Sequence, residues 1–364
     1  MQLAVSESFY PMLAAKQADM EPGVQMMITE LNNLVADQPE QVAAAMAAGT
    51  NVMGAEGKRI RPVLTETGYR LQGGRDTAMV ARAAGVVEAW HTHLLVMDDT
   101  HDSAETRRNV DTAHVAMGKY LDKEGIGRNP QKLGTDAALT AGFIMHVHAG
   151  RTLGKLDVAR EYREHAADIA ADCLVQTGIG QLRELTANPA KPPTPDQVLE
   201  TYRLKTGVYT YFKSLAIGAA LAGASPQQVE LFRDYTDAAG IAYQLRDDLL
   251  GVRLIGKQED IGKPQNDIGQ GTYTWIVTTA LERAGTRSRN FLQESLGNTA
   301  LTAEDLDQCN RILEQTEAVA DAQTLVEKYT TQAVNALDAA PLYWPKPEVD
   351  FLRDLAAHGA TRKT

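Results

Sequence analysis

The sequence predicts an all-α protein, on three observations. Alternating runs of Val, Ile, Thr and aromatic residues are almost absent, Ala, Leu, Glu, Gln and Arg recur at helical spacing, and the strong breaker clusters are few. Expected helices cover roughly 24 to 50, 59 to 72, 75 to 102, 110 to 121, 134 to 150, 158 to 187, 195 to 205, 208 to 223, 226 to 251, 272 to 283, 303 to 315 and 317 to 339. Two breaks punctuate this series. In TANPAKPPTPDQVLE the prolines cannot continue a helix, and Thr194, Pro195 and Gln197 suit the N-cap, N1 and N3 positions of the next one. In GVRLIGKQEDIGKPQNDIGQGT, residues 251–272, glycines, a proline and mixed charges predict a long loop, and loops of that length are usually functional. The small residues of FKSLAIGAALAGAS fit a closely packed buried helix better than a membrane span.

With 364 residues, 44% of them hydrophobic, the chain can bury a large core, and residues 1–364 read as a single helical domain with a short N-terminal arm. The start, MQLAVSESFYPM, has no basic region leading into a long apolar one, and no integral membrane segment is expected, so the expected compartment is the cytoplasm. Cys173 and Cys309 lack metal-binding spacing and read as core thiols. A net charge of -11 disfavours nonspecific nucleic-acid binding, so no nucleic-acid partner is expected. An anionic ligand would have to be held by local Arg and Lys or through a metal.

LLVMDDTHDSAETRR, residues 94–108, concentrates negative charge at the end of an apolar stretch. On a helix Asp98 and Asp102 share a face one turn apart, with carboxylates within roughly 6 Å and Asp99 beside them. At an effective dielectric near 20 such a pair repels by about 3 kcal/mol, so a cation is the natural remedy. Oxygen donors without a calcium-binding loop favour Mg2+, which takes one or two carboxylates plus substrate phosphates. Alone, the stretch could equally be a solvated helix end. GIAYQLRDDLLGV weakens that alternative, since it places Asp247 and Asp248 on a second apolar helix with Gln244 one turn before Asp248.

The basic residues indicate what a metal would help to hold. Arg107 and Arg108 follow Asp102, EGKRIRPVL supplies Lys58, Arg59 and Arg61, RLKTGVYTYF supplies Lys205 and Thr206, and DIGKPQND supplies Lys263. Arginine presents a planar fork to phosphate oxygens and lysine a mobile point charge. The set describes a site for two highly charged phosphate groups.

These residues, in this order, resemble the trans-prenyl diphosphate synthases over essentially the whole chain, and among them geranylgeranyl and farnesyl diphosphate synthases. The carriers are GKRIRP, DDTHDSAETRR, KTG, YQLRDDLLG and GKP. The resemblance implies one large helical bundle of the isoprenoid synthase type around a central cleft, and a homodimer. It implies Mg2+ on Asp98, Asp102 and Asp247, with Asp99 and Asp248 in support, bridging an allylic diphosphate. Arg107, Lys205 and Lys263 would hold that diphosphate, and Thr206 and Gln244 would line the reacting centre. Lys58, Arg61, His91 and Arg108 would bind isopentenyl diphosphate; a satisfied core histidine is the other reading of His91. His101 is expected to face solvent or support its neighbours.

Three departures stand out. Gly251 occupies a position where many members carry a third aspartate, Thr272 one where a lysine is usual, and Asn109 and Asp111 replace a common glycine and proline. The implied reaction is ionisation of the allylic substrate, attack by the isopentenyl double bond and proton loss, with water excluded. Side-chain bulk one or two turns before Asp98 would set product length, because a helical turn rises about 5.4 Å, close to one isoprene unit. Those residues are His93, Leu94 and Trp90, and they point to a C15–C20 product, C20 preferred; simple core packing is their alternative role. A class I terpene cyclase, a noncatalytic partner subunit and an HD-type metal phosphohydrolase built on His91, His93, His101 and Asp102 are the competing readings.

Overall fold

The computed structural model describes residues 5–254, 267–298 and 300–362. The chain divides into two compact units, one of Tyr10–Asp168 with Ser214–Ala224, the other of Met1–Phe9, Ile169–Lys213 and Ser225–Thr364. Both are helical; among the described residues the named strands are two of two residues each.

The first unit carries α1 (Phe9–Asn33), α2 (Glu40–Gly54), α3 (Ile60–Leu71), α4 (Thr77–His101), β1 (Thr106–Arg107), β2 (Val110–Asp111), α5 (Ala113–Lys123) and α6 (Pro130–Leu153). Local chemistry sets the starts that matter. Asp76 caps α4 by accepting from the Met79 N–H at 3.0 Å, and Asn129 caps α6, with Pro130 at its first turn. A core of Ala48 and Val52 (α2), Val96 (α4), Met117 and Leu121 (α5) and Ala138 (α6) joins these helices. It therefore fixes the helix that ends in the first aspartates.

The chain continues through α7 (Arg160–Leu185), α8 (Pro195–Tyr202), a π-helix (Arg203–Phe212), α9 (Lys213–Leu221), α10 (Pro226–Glu230), α11 (Arg233–Leu254) and α12 (Asp267–Gln270). It ends with α13 (Trp275–Arg283), α14 (Thr286–Ser295), α15 (Ala303–Gln315), α16 (Ala318–Ala336), a 3-10 turn (Leu337–Ala339) and α17 (Lys346–Thr361). The capping box read from the sequence forms: Thr194 Oγ1 accepts from Gln197 N, and Gln197 Oε1 accepts from Thr194 N. The core of the second unit centres on Leu245 and Leu249 (α11), Ile276 and Ala280 (α13), Leu292 (α14), Leu313 (α15) and Ala322 (α16). α11 packs on α16, the π-helix and α17, and so lies in the middle of its unit.

The expectation of a buried small-residue helix holds for α9. Gly218 lies against the Thr65 carbonyl and Gly68 against Leu215, so a side chain at either position would collide with backbone. Cys173 and Cys309 are buried free thiols, and burial pushes Cys173 up to about 11, where it is inert.

Several boundaries differ from expectation. The helix expected over 24 to 50 is two, because Pro39 interrupts the chain and then caps α2; α1 also begins earlier and carries Pro22 inside it. The expected pair 195–205 and 208–223 is a continuous helical path whose middle widens into the π-helix. α14 and α17 have no counterpart in the expected series. α17 buries Phe351, Leu352, Leu355 and Ala356, a helical spacing readable in the sequence but overlooked behind Pro345 and Pro347. Of the expected loop 251–272, its first residues extend α11 and its last include α12; residues 255–266 lie outside the described residues.

Candidate active site

α4 delivers Asp98, Asp99 and Asp102 to its C-terminal end. Asp99 is 1% exposed, whereas the Asp98 side chain is 38% exposed and Asp102 is an exposed C-cap. A buried carboxylate needs a partner. Arg107 provides it, donating from Nε to both Asp99 oxygens at 2.6 and 2.8 Å, and reaching Asp98 through Nη2 at 3.4 Å. Burial opposes the charge on Arg107, yet Asp99, then Asp98 and Asp102, hold its pKa above the ordinary arginine value.

A hairpin aims that arginine. Arg107 pairs with Val110, and the two loop residues Arg108 and Asn109 have φ of 52° and 63°, the left-handed geometry of a tight two-residue turn. Asn109, a departure in sequence, is a residue that tolerates this conformation. Asp111, the other, is held by Lys119 at 2.8 Å. His101 is exposed, as expected.

The basic residues of the first unit gather. Arg61 Nη1 donates to His91 Nε2 at 3.0 Å, since a guanidinium cannot accept. The Arg108 guanidinium lies against Gly57, where a Cβ would stand 2.7 Å from Cζ, so the glycine before Lys58 makes room for it. Lys58 is exposed. Arg59 is spent on Glu88 and Glu21, at 2.9 and 3.1 Å. Burial lowers the Arg108 pKa; Glu88 opposes this, and Arg59, Arg107 and Arg61 reinforce it. Such mutual repulsion among arginines is relieved by an anion.

Deeper along α4, His93 meets His146 of α6 edge-on at 5.1 Å, and the Trp90 indole donates to the His146 carbonyl at 3.2 Å. Trp90 is 3% exposed; Leu94 is half-buried. Gly142 of α6 faces His93, where a Cβ would lie 3.0 Å from Nδ1. Burial, then the neighbouring His146, lowers His93 to about 4, so it is a neutral ring at ordinary pH.

In the second unit, α11 carries the other aspartates. Gly240 of α11 packs directly on the backbone of Gly207 in the π-helix, where any side chain would collide. This close approach brings Thr206 Oγ1 to 3.1 Å from Gln244 Oε1. Lys205 is ion-paired with Glu184 at the end of α7. Asp247, 41% exposed at its side chain, accepts from Arg362. Asp248 is 4% exposed and accepts from the Tyr202 hydroxyl. Burial, then Asp267, pushes the Asp248 pKa well up. Lys263 lies outside the described residues.

Among the described residues, no three His, Cys, Asp or Glu side chains converge as a ready-made metal cage. The donor set still fits Mg2+, which needs only one or two protein carboxylates and completes its shell with phosphate oxygens and water. Outward-facing Asp98, Asp102 and Asp247 are oxygen donors of that kind, and each has a second aspartate or an arginine supporting it. Among the described residues His91, His93, His101 and Asp102 form no such cluster either, and an HD-type phosphohydrolase would need its histidines gathered on the metal.

Sequence reasoning missed Glu88, Glu184, Tyr202, Asp267 and Arg362. Each acts through a partner distant in sequence, so no local spacing marked it. Gly251 could have pointed to Asp267: an ideal Cβ there would lie 2.8 Å from Asp267 Oδ2, so that carboxylate lies where a larger residue would have stood.

Comparison with known proteins agrees with this reading. Residues 42–313 match the polyprenyl synthetase family. A short chain isoprenyl diphosphate synthase of Methanocaldococcus jannaschii is 30% identical over 73% of this chain and 75% of its own. A geranylgeranyl diphosphate synthase of Sulfolobus acidocaldarius is 30% identical over 78% and 80%. The crystal structure of geranylgeranyl pyrophosphate synthase from Corynebacterium glutamicum, complexed with isoprenyl diphosphate and magnesium, superposes with a TM-score of 0.86. It is 26% identical in sequence, covering 95% of this chain and 98% of that one. With two aspartate pairs, an arginine cluster and this match in hand, the chain belongs to the polyprenyl synthetase family.

Proposed function

We propose that this chain is a magnesium-dependent prenyltransferase that condenses isopentenyl diphosphate with an allylic diphosphate to a trans-prenyl diphosphate of C15–C20. The observation that carries the reading is the division of labour at the end of α4. Arg107 is locked onto buried Asp99, which leaves Asp98 and Asp102 facing outward beside a cluster of arginines. In this reading all 364 residues work as one domain, with the loop after α11 at the active site.

Asp98, Asp102 and Asp247, supported by Asp99 and Asp248, would hold Mg2+, which supplies positive charge to the departing diphosphate and so favours C–O ionisation. Lys205, Lys263 and Arg107 steady that same diphosphate; Arg107 also orients the aspartates, having spent Nε and Nη2 on them. Lys58, Arg61, His91 and Arg108 hold the diphosphate of isopentenyl diphosphate, whose double bond attacks the allylic cation. Thr206 and Gln244, hydrogen-bonded to one another, line the reacting carbon. The proton lost from the condensed product passes to the released diphosphate. His93, Leu94 and Trp90 close the hydrocarbon path, and the relatives' names favour C20 over C15.

No helix among the described residues is long and apolar enough to cross a membrane; a cytoplasmic location is part of the proposal. A homodimer fits the apolar residues Phe143 and Val147 on α6, 62% and 52% exposed. Purified protein with Mg2+, isopentenyl diphosphate and allylic primers of several lengths should release diphosphate and form a C20 product, identified by chromatography. Release of diphosphate without a longer prenyl chain would point to a cyclase and overturn the reading.

A further inference from the structure

Tyr202 closes α8, immediately before the π-helix that carries Lys205 and Thr206. Its hydroxyl accepts the backbone N–H of Trp275 at 2.9 Å and bonds the carboxylate of Asp248. Accepting from one neighbour leaves the single phenolic proton for the other, so the direction is set: Tyr202 donates to Asp248. The Trp275 N–H belongs to the first turn of α13 and has no partner within its own helix, so the phenol satisfies it. One side chain thus ties together the lysine-bearing segment, the aspartate-bearing α11 and α13. Tyr202 itself is 8% exposed, inside the second unit's core.

Asp248 thus lies on α11 with the phenol on one side and a further hydrogen bond from Gln244, one turn earlier, and Asp267 Oδ2 is lodged against Gly251 of the same helix. The turn into α13 offers no cation: residues 271–275 read Gly, Thr, Tyr, Thr, Trp, and the Thr272 N–H is used on the Asp267 carbonyl at 2.9 Å. We propose that Tyr202 is the positioning residue of the second aspartate pair, its phenol holding Asp248 as an acceptor so that α11 presents Asp247 to the bound diphosphate. This inference rests on the prenyltransferase reading above.

The test compares wild type, Tyr202→Phe, Thr272→Lys and the double variant. Two readouts are needed: the Mg2+ concentration giving half-maximal thermal stabilisation in the presence of inorganic diphosphate, and kcat and KM for each substrate. Removing a group that supports a metal ligand weakens metal affinity by about 10- to 100-fold. Tyr202→Phe should therefore raise the half-stabilising Mg2+ concentration at least about 10-fold and lower kcat, leaving the KM for isopentenyl diphosphate within about two-fold. Thr272→Lys should recover part of both losses in the double variant, which also carries the test if Tyr202→Phe alone does not fold. A Tyr202→Phe protein with unchanged Mg2+ response and kcat, or one merely less stable at every Mg2+ concentration, would overturn the assignment. A wild type that neither responds to Mg2+ nor transfers prenyl groups would bring down the functional reading, and this assignment with it.

Discussion

At the end of α4 the buried member of an aspartate pair, Asp99, meets a guanidinium; on α11 the buried member, Asp248, meets a phenol. The two carboxylates are almost equally hidden, 1% and 4% exposed, so burial does not distinguish them. Their partners do. Arg107 offsets the charge of Asp99 and also reaches the outward Asp98, at 3.4 Å. Tyr202 orients Asp248 without cancelling its charge, so burial and Asp267 press it toward the neutral acid. On α4 the guanidinium goes to the buried member, Asp99, whereas on α11 the guanidinium, that of Arg362, goes to the outward Asp247 and the buried Asp248 is left to a neutral donor.

The largest effect should come from the outward aspartates, where the two regions should behave alike. Asp98→Asn and Asp247→Asn each remove a carboxylate that would hold the Mg2+ offsetting charge on the departing diphosphate, and each should lower kcat by about 10²- to 10³-fold. Steady-state assays at saturating Mg2+ decide this. An Asp247→Asn enzyme as active as wild type would mean that only the α4 pair matters.

The buried members should separate the regions next, in stability rather than rate. Arg107→Leu strands Asp99 as an unpaired buried charge, which costs about 3–5 kcal/mol. Tyr202→Phe removes a neutral donor from a carboxyl that can itself take up a proton, so about 1–3 kcal/mol is expected. Urea unfolding in EDTA measures both. Equal losses would mean that the phenol and the guanidinium do the same work, against the contrast drawn above.

How much of this was legible in the sequence follows from the same contrast. The α4 site could be read because its parts are neighbours: Asp98, Asp99, Asp102, Arg107 and Arg108 fall within eleven residues, and helical geometry alone puts two of the acids on one face. The all-α fold could be read for a similar reason, since periodicity and caps such as Thr194 are local. The supports of the α11 site could not. Tyr202 lies 46 residues from Asp248 and Arg362 lies 115 from Asp247, and neither residue type announces a pairing partner. The π-helix was missed because its sequence, RLKTGVYTYF, carries no breaker except Gly207. That glycine's role shows only against Gly240 of α11.

A smaller effect, tied to pH, extends the comparison to the deep part of α4, where a half-buried titratable ring, His93, faces another histidine. The folded-state pKa of His93 is about 4, below the 6.5 of an exposed histidine, because burial and then His146 disfavour its charge. The unfolded chain therefore takes up a proton first as pH falls. The neutral ring's contribution is whole above pH 6.5 and is lost progressively as pH drops toward about 4. Full loss would be worth at most about 3 kcal/mol, less whatever solvent screening removes at a partly accessible ring. His93→Leu should flatten the fall in unfolding free energy between pH 6.5 and pH 4 by up to that amount, measured by urea titration at each pH. If His93 also forms the floor of the hydrocarbon path, replacing it together with Trp90 by alanine should lengthen the prenyl product at neutral pH. The two readouts are independent, because the first follows the proton and the second the volume of the ring. A flattened pH profile with an unchanged product would leave His93 as a core residue. A longer product with an unchanged profile would make His93 the floor of the path and not the group behind the pH dependence.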